Sequence, residues 1–116
     1  MEEKKMKKLW RCSVCGYKME GAEAPEKCPK CGASHDQFVA LSDEEAKKVY
    51  DSYVTNDIHM EIVTLVEKIL HLAREGEEIN LDPGCLHIFK KAQEDGYVLK
   101  EMCKAEIAGH ISKGKW

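Results

Sequence analysis

Hydrophobic and polar positions along this 116-residue chain follow two regimes that change at Leu41. From Leu9 to about Leu41 no helical period is present, and Gly16, Gly21, Pro25, Pro29 and Gly32 divide the segment into turns. Short β-strands are predicted near Leu9–Arg11, at Tyr17–Met19 and, as a third, at Phe38–Ala40. Apolar weight is scarce: Trp10, Val14, Tyr17, Met19, Phe38 and Val39 have to make whatever core this part possesses.

After Leu41 the period becomes helical. Ser42 with Glu45 three residues on reads as a capping box, and Ala46, Val49, Tyr50, Tyr53 and Val54 follow as one stripe. Asn56-Asp57 is expected to break or recap the chain before a second helix from about Ile58 to Glu75. Ile58, Ile62, Leu65, Val66, Ile69, Leu70 and Ala73 share its apolar face, and Gly76 is expected to end it. Glu77–Leu81 reads as a loop, and Asp82-Pro83 as an N-cap with Pro at the first helical position. A third helix groups Cys85, Ile88, Phe89 and Ala92 and stops at Gly96. A fourth, from about Tyr97 to Ile111, carries Leu99, Met102, Cys103 and Glu106 on one side and ends at Ser112-Lys113-Gly114. The expected fold class is therefore α+β: a small module of short strands, then an all-α region of three to four short helices. The expected domains are a flexible tail over residues 1–8, a metal-binding domain over 9–41 and a helical domain over 42–116.

Composition narrows the function classes. Residues 1–41 hold 8 Lys/Arg and 6 Asp/Glu, and residues 42–116 hold 10 and 15. Neither part has the strongly basic balance of a nucleic-acid binder, so no nucleic-acid partner is expected. There is no apolar run long enough to span a membrane, and the charged first ten residues lack the apolar stretch of a secretory signal. A cytoplasmic, reducing location is the expectation. It fits cysteines reserved for metal rather than for disulfides.

The chemistry lies in two matching knuckles, Cys12-Ser-Val-Cys15-Gly16 and Cys28-Pro-Lys-Cys31-Gly32. Two residues separate the cysteines of each pair, and twelve separate the pairs. This spacing lets two tight turns present four thiolates, Cys12, Cys15, Cys28 and Cys31, to one tetrahedral ion. A Gly after each second Cys suits a turn that needs positive φ, in which backbone N–H groups point at the sulfurs. A module of about 40 residues buries too little apolar surface to stand alone, so the ion contributes to its folding. The spacing accepts iron or zinc alike. Cys85 and Cys103 lie outside the knuckles and read as small buried hydrophobes.

The flanks of the knuckles are more specific. Trp10 two residues before the first Cys, Cys15-Gly16-Tyr17, Glu20-Gly21, Ala24-Pro25-Glu26, Cys28-Pro29-Lys30-Cys31-Gly32 and Phe38 together resemble the rubredoxin-like domain of rubrerythrins over Leu9–Leu41. Stand-alone rubredoxins have a longer excursion between knuckles and a Trp just before the second, and this chain has neither. The resemblance implies one iron per chain in a cage of four thiolates, cycling between ferric and ferrous for one-electron transfer. It also implies that Cys15 and Cys31, as second cysteines of their knuckles, face solvent as electron exits. The implied role is an electron carrier or redox subunit with no catalytic residue assigned, serving a redox partner protein. The helical part would provide docking or oligomerisation, as in a homodimer. The alternative is a structural zinc-ribbon interaction module.

Rubrerythrins join this domain to a ferritin-like bundle with a di-iron carboxylate centre. The helical part here lacks the paired Glu-x-x-His motif of such bundles, so no di-iron ligand and no peroxidase activity are carried over. By helical angle, Glu67, His71 and His87 fall on polar sides, and His35 sits in a loop as a surface residue. His59, Cys103, Glu106 and His110 fall on or beside apolar faces. If those faces meet, the four converge on a buried polar cluster or even a second metal site; the alternatives are a Glu–His hydrogen bond at an interface or an end-of-helix position exposed by fraying.

Overall fold

The computed structural model describes residues 6–116. Residues 1–5, most of the expected tail, lie outside the described residues. Among these, three strands, β1 (Leu9–Cys12), β2 (Lys18–Glu20) and β3 (Phe38–Ala40), precede two helices, α1 (Asp43–Ile79) and α2 (Pro83–Ser112). The chain divides into two compact units, one reaching Asp51 and the other starting at Ser52.

In the first unit the strands form an antiparallel sheet of order β2-β1-β3, with Trp10 opposite Met19 on one side and Ala40 on the other. Central β1 is buried at both ends rather than alternating: Leu9 and Cys12, on opposite faces, are buried, while Arg11, on the face of Leu9, is exposed. Leu9 packs with Leu41, Ala46, Val49 and Tyr50, so the first turns of α1 cover one end of the sheet. Tyr50 reinforces this by donating its hydroxyl to the Lys7 carbonyl at 2.9 Å. At the other end Cys12, Ala24, Cys28 and Phe38 form a second small core, flanked by Trp10 and Tyr17. The capping box is made in both directions: Ser42 Oγ accepts from the Glu45 N–H at 3.1 Å, and Glu45 Oε1 from the Ser42 N–H at 3.0 Å.

The three to four short helices expected after residue 42 are instead two long ones, of 37 and 30 residues. Each expected break has another use. Asn56 is a buried residue whose amide Nδ2 donates to the Lys115 carbonyl at 2.9 Å, so its side chain bonds across the hairpin and α1 runs through it. Gly76 and Gly96 lie inside their helices, at places where the partner helix comes close. A Cβ on Gly76 would sit 2.5 Å from the Phe89 ring, and one on Gly96 would sit 3.0 Å from Leu70 Cδ2. The residue that does stop α1 is Asn80, at φ 48°, a left-handed conformation that Asn tolerates.

Asp82 then caps α2 as expected, its Oδ1 accepting from the Cys85 N–H at 2.7 Å with Pro83 in the first turn. Gly114, at φ 73°, closes α2, with the Lys115 N–H reaching back to the His110 carbonyl at 2.8 Å. The two helices of the second unit are antiparallel, since Asn56 meets Lys115, Leu70 meets Gly96 and Gly76 meets Phe89.

The single apolar face expected over 58–73 is divided. Val66, Leu70 and Ala73 are buried, continuing the 3–4 spacing of Ser52 and Asn56. Ile58, Leu65, Leu72 and Ile79, spaced by seven, are 49%, 50%, 63% and 69% exposed and form a second seam around the helix. No described helix is long and apolar enough to cross a membrane.

Candidate metal centre

Each knuckle is a repeat of one hydrogen-bonded turn. In the first, the Cys12 N–H donates to the Tyr17 carbonyl at 2.7 Å and the Gly16 N–H to the Cys12 carbonyl at 2.9 Å. In the second, the Cys28 N–H donates to the Ala33 carbonyl at 2.8 Å and the Gly32 N–H to the Cys28 carbonyl at 2.8 Å. Gly16 and Gly32 take φ 82° and 78°, the left-handed conformation expected of them. Strand β1 delivers Cys12 to the site at its end, and the Lys27–Ser34 bridge closes the second knuckle.

The turns bring the four sulfurs together within 4.8 Å of one another. Cys12 Sγ lies 3.7 Å from Cys31 Sγ, and Cys15 Sγ lies 3.5 Å from Cys28 Sγ. A tetrahedral ion with arms of about 2.3 Å holds its sulfurs about 3.8 Å apart. The cage therefore has the dimensions of a single iron or zinc site. Cys12 and Cys28 are buried, Cys15 is half-buried and Cys31 is exposed, so the second cysteine of each knuckle is the more exposed of its pair.

Electrostatics agree with a cation at the centre. The Cys15 N–H holds the Cys12 thiol below its ordinary value against the opposing effect of burial, helped by the Val14 N–H. Burial pushes Cys28 up, but the N–H groups of Cys31 and Lys30, with the Cys15 sulfur, outweigh it and bring the thiol down to about 6. The Ala33 N–H pulls Cys31 down, yet lost hydration and the sulfurs of Cys15, Cys12 and Cys28 outweigh that and push it up to about 12. Four sulfurs so close cannot all ionise without positive charge between them, and a metal ion supplies it.

Sequence reasoning missed one support of this site. His35 is exposed as expected, but its Nδ1 lies 3.1 Å from the Ala24 carbonyl and 3.2 Å from that of Pro25. Its N–H thus pins the loop leading into the second knuckle. Spacing gives no signal for such a bond, because it depends on how the loop folds back.

The helical candidates meet only in part. His110 Nε2 lies 3.2 Å from Glu106 Oε1, and the His59 and His110 rings stand edge to face with centroids 6.3 Å apart. Cys103 is buried two turns before His110 on α2. Among the described residues, the four knuckle cysteines are the one group of three or more donors gathered within 4.8 Å. Glu67, expected on a solvated side with His71, pairs with Lys100 of α2. Asn56 was missed as a polar partner of His110, its Oδ1 lying 2.5 Å from His110 Nδ1.

Comparison with known proteins bears on the knuckle segment. The family described as "Rubrerythrin, rubredoxin-like domain" matches residues 10–39. The segment is a rubredoxin-like four-cysteine module related to rubrerythrins. Reverse rubrerythrin-1 of Clostridium acetobutylicum is 59% identical to this chain over 37 residues, covering 32% of the chain and 20% of that protein. A rubrerythrin of Clostridium perfringens is 65% identical over 23 residues, covering 20% of the chain and 12% of that protein. The chain thus spans a fifth or less of these curated relatives, and the rubredoxin-like match leaves its helical region unassigned. No solved structure matches the chain significantly.

Proposed function

We propose that this protein transfers single electrons through one iron ion held by Cys12, Cys15, Cys28 and Cys31, in the reducing cytoplasm, for a redox partner protein. Bound there, iron supplies a ferric–ferrous couple. The observation that carries the reading is the asymmetry of the cage, with Cys12 and Cys28 buried against Ala24 and Phe38 and Cys31 open to solvent. The buried pair, Cys12 at the end of β1 and Cys28 in a turn closed by the Ala33 carbonyl, holds the geometry fixed in either charge state. Exposed Cys31 and half-buried Cys15 give a partner a short path to the centre. The knuckle N–H groups aimed at Cys12, Cys28 and Cys31 spread the negative charge of the thiolates and favour the reduced state.

On this reading the chain is organised as a rubredoxin-like domain over 9–41 and a helical domain over 42–116, the latter serving docking or self-association. The exposed seam of Ile58, Leu65, Leu72 and Ile79 supports that role, since a seven-residue apolar repeat left uncovered is the pattern of a helix that packs on a further helix. A homodimer is the simplest assembly that covers it.

Protein purified from its native host should be red in air, with thiolate-to-iron absorption that bleaches on dithionite. Colourless protein containing one zinc per chain and giving no voltammetric wave would favour the second reading, a structural zinc ribbon. One observation speaks for that reading: two of the ligands, Cys12 and Cys28, are themselves half of the small core they share with Ala24 and Phe38, so the ion also acts as a staple.

A further inference from the structure

We infer that α1 and α2 together present one continuous apolar face, and that a second copy of this chain covers it, so that the helical hairpin is half of a four-helix bundle. This deepens the self-association reading above and rests on it, but not on the chemistry of the cysteine cage. The antiparallel contact between the helices buries Val66, Leu70 and Ala73 on α1 and Gly96, Cys103 and His110 on α2, with Phe89 set against Gly76. On α1, exposed Leu65, Ile69 and Leu72 each immediately precede one of these buried residues. On α2, exposed Ile88 immediately precedes Phe89 and Met102 immediately precedes Cys103, with Leu99 one turn before Met102.

One residue turns an α-helix by about 100°, so all of these side chains are displaced from the contact in the same rotational sense. Between antiparallel helices the same sense leads to the same side of the pair; between parallel helices it would lead to opposite sides. The exposed apolar residues of both helices therefore line one face of the hairpin. The opposite displacement carries Glu67 and Lys100, which pair across the helices, and Glu77 and Gln93, whose Nε2 donates to Glu77 Oε2 at 2.5 Å. One side of the hairpin is thus closed by polar bonds between its helices. The other is apolar and left uncovered among the described residues.

Area, charge and shape point to a second copy as the cover. With Ile58 and Ile79 of the α1 seam, eight side chains between 44% and 69% exposed offer on the order of 800 Å², which is what one partner of a standard stable interface contributes. Monomers rarely leave so large an apolar patch open. Two carboxylates, Asp95 and Glu106, fall on the α2 half of the face, and both have partners in their own helix. Lys91 Nζ lies 3.1 Å from Asp95 Oδ1, and His110 Nε2 lies 3.2 Å from Glu106 Oε1. The face therefore offers no unmatched charge to a nucleic acid, a lipid headgroup or an oppositely charged protein, and pairing two copies buries none. Along it α1 contributes Ile and Leu, whereas α2 interleaves the small Cys85, Ala92 and Gly109 among its larger residues. Knobs and seats on one surface make it self-complementary, as a twofold interface requires.

The test measures the mass of the full, metal-loaded chain by sedimentation. The parent should be a dimer, and Ile88→Lys/Met102→Lys, on the α2 half of the face, should sediment at half that mass with unchanged helical circular dichroism. Tyr97→Lys/Ile111→Lys alters residues that are 60% and 57% exposed but displaced the other way from the contact, and should remain a dimer. Ile88→Ala/Met102→Ala adds no charge and should raise the dissociation constant by about tenfold or more. It carries the test even if the Lys variant does not fold. A dimer that Leu65→Lys/Leu72→Lys dissociates but both α2 pairs leave as tight as the parent keeps self-association and overturns the two-helix face. So does a Tyr97→Lys/Ile111→Lys variant that dissociates as readily as the Ile88→Lys/Met102→Lys one. A monomeric parent overturns the face and self-association together, and a different protein is then its cover.

Discussion

The Phe89 ring of α2 occupies the space that a side chain at position 76 would need, its Cε2 lying 2.5 Å from where a Gly76 Cβ would be. This contact explains a glycine well inside α1. It also sets two opposing effects at one position, because Ala favours the helix by about 1 kcal/mol over Gly while forced overlap in a packed contact costs about 1–3 kcal/mol.

Gly76→Ala should therefore destabilise the protein by about 1–2 kcal/mol, read as a lower midpoint in urea with an unchanged slope. In a Phe89→Ala background the obstacle is gone. There the same substitution should be neutral or stabilising by up to about 1 kcal/mol. A helix-stop role for Gly76 predicts destabilisation in both backgrounds, so the double-mutant cycle separates the two.

The contrast between Gly16 and Gly76 shows what was legible in the sequence. Gly16, Gly32, Ser42, Asp82 and Gly114 act through their own local backbone, so spacing and residue type reveal the knuckles, the caps and the end of α2. The three strands were legible for the same reason, as short apolar runs between turn residues. Asn56, Gly76 and Gly96 act through a partner more than ten residues away. Locally each reads as a breaker, and only the antiparallel helix shows it to be a contact. The division of the 58–73 stripe was hidden likewise. Helical angle says which residues share a face, but which of two adjacent arcs is covered depends on where α2 lies.

Gly16 and Gly32 test the knuckles through backbone alone. An added Cβ meets nothing within 4 Å at either position, so any penalty comes from the left-handed conformation. Gly32→Ala should cost about 1–2 kcal/mol, seen as a lower thermal midpoint of the metal-loaded protein and faster metal loss to a chelator. Gly32→Asn should lose less, since Asn enters that region more readily. Equal losses for the two variants would point to a cause other than φ.

Asp82 gives a pH dependence with a definite sign. The Cys85 N–H holds its carboxyl below the usual carboxylate range, as a helix cap does. A carboxyl whose folded pKa is lowered contributes stability that is present above its unfolded pKa, about 3.9. That contribution is lost as pH falls through the lower folded value. Asp82→Asn, which keeps a capping oxygen without the charge, should thus be less stable than the parent at pH 7. The difference should shrink as the pH is lowered through the carboxylate range. Parallel stability curves across that range would show that the charge contributes nothing beyond the hydrogen bond.

The exposed seam of α1 separates association from mere exposure. Leu65 and Leu72 are a heptad apart and half or more exposed, so replacing both with Lys in a monomer should change stability by no more than about 0.5 kcal/mol at each site. If the seam packs against a second copy, the same change places two charges in an apolar interface and dissociates it. The expected result is that the parent sediments as a dimer and Leu65→Lys/Leu72→Lys as a monomer, with the knuckle absorption unchanged. Substituting exposed Arg74 and Glu78, on the side of the same helix away from the seam, is the control, because generic surface change should leave the mass of the particle as it was. A monomeric parent would leave the seam for the redox partner, and the Lys variant should then slow electron transfer from that partner while leaving dithionite reduction untouched.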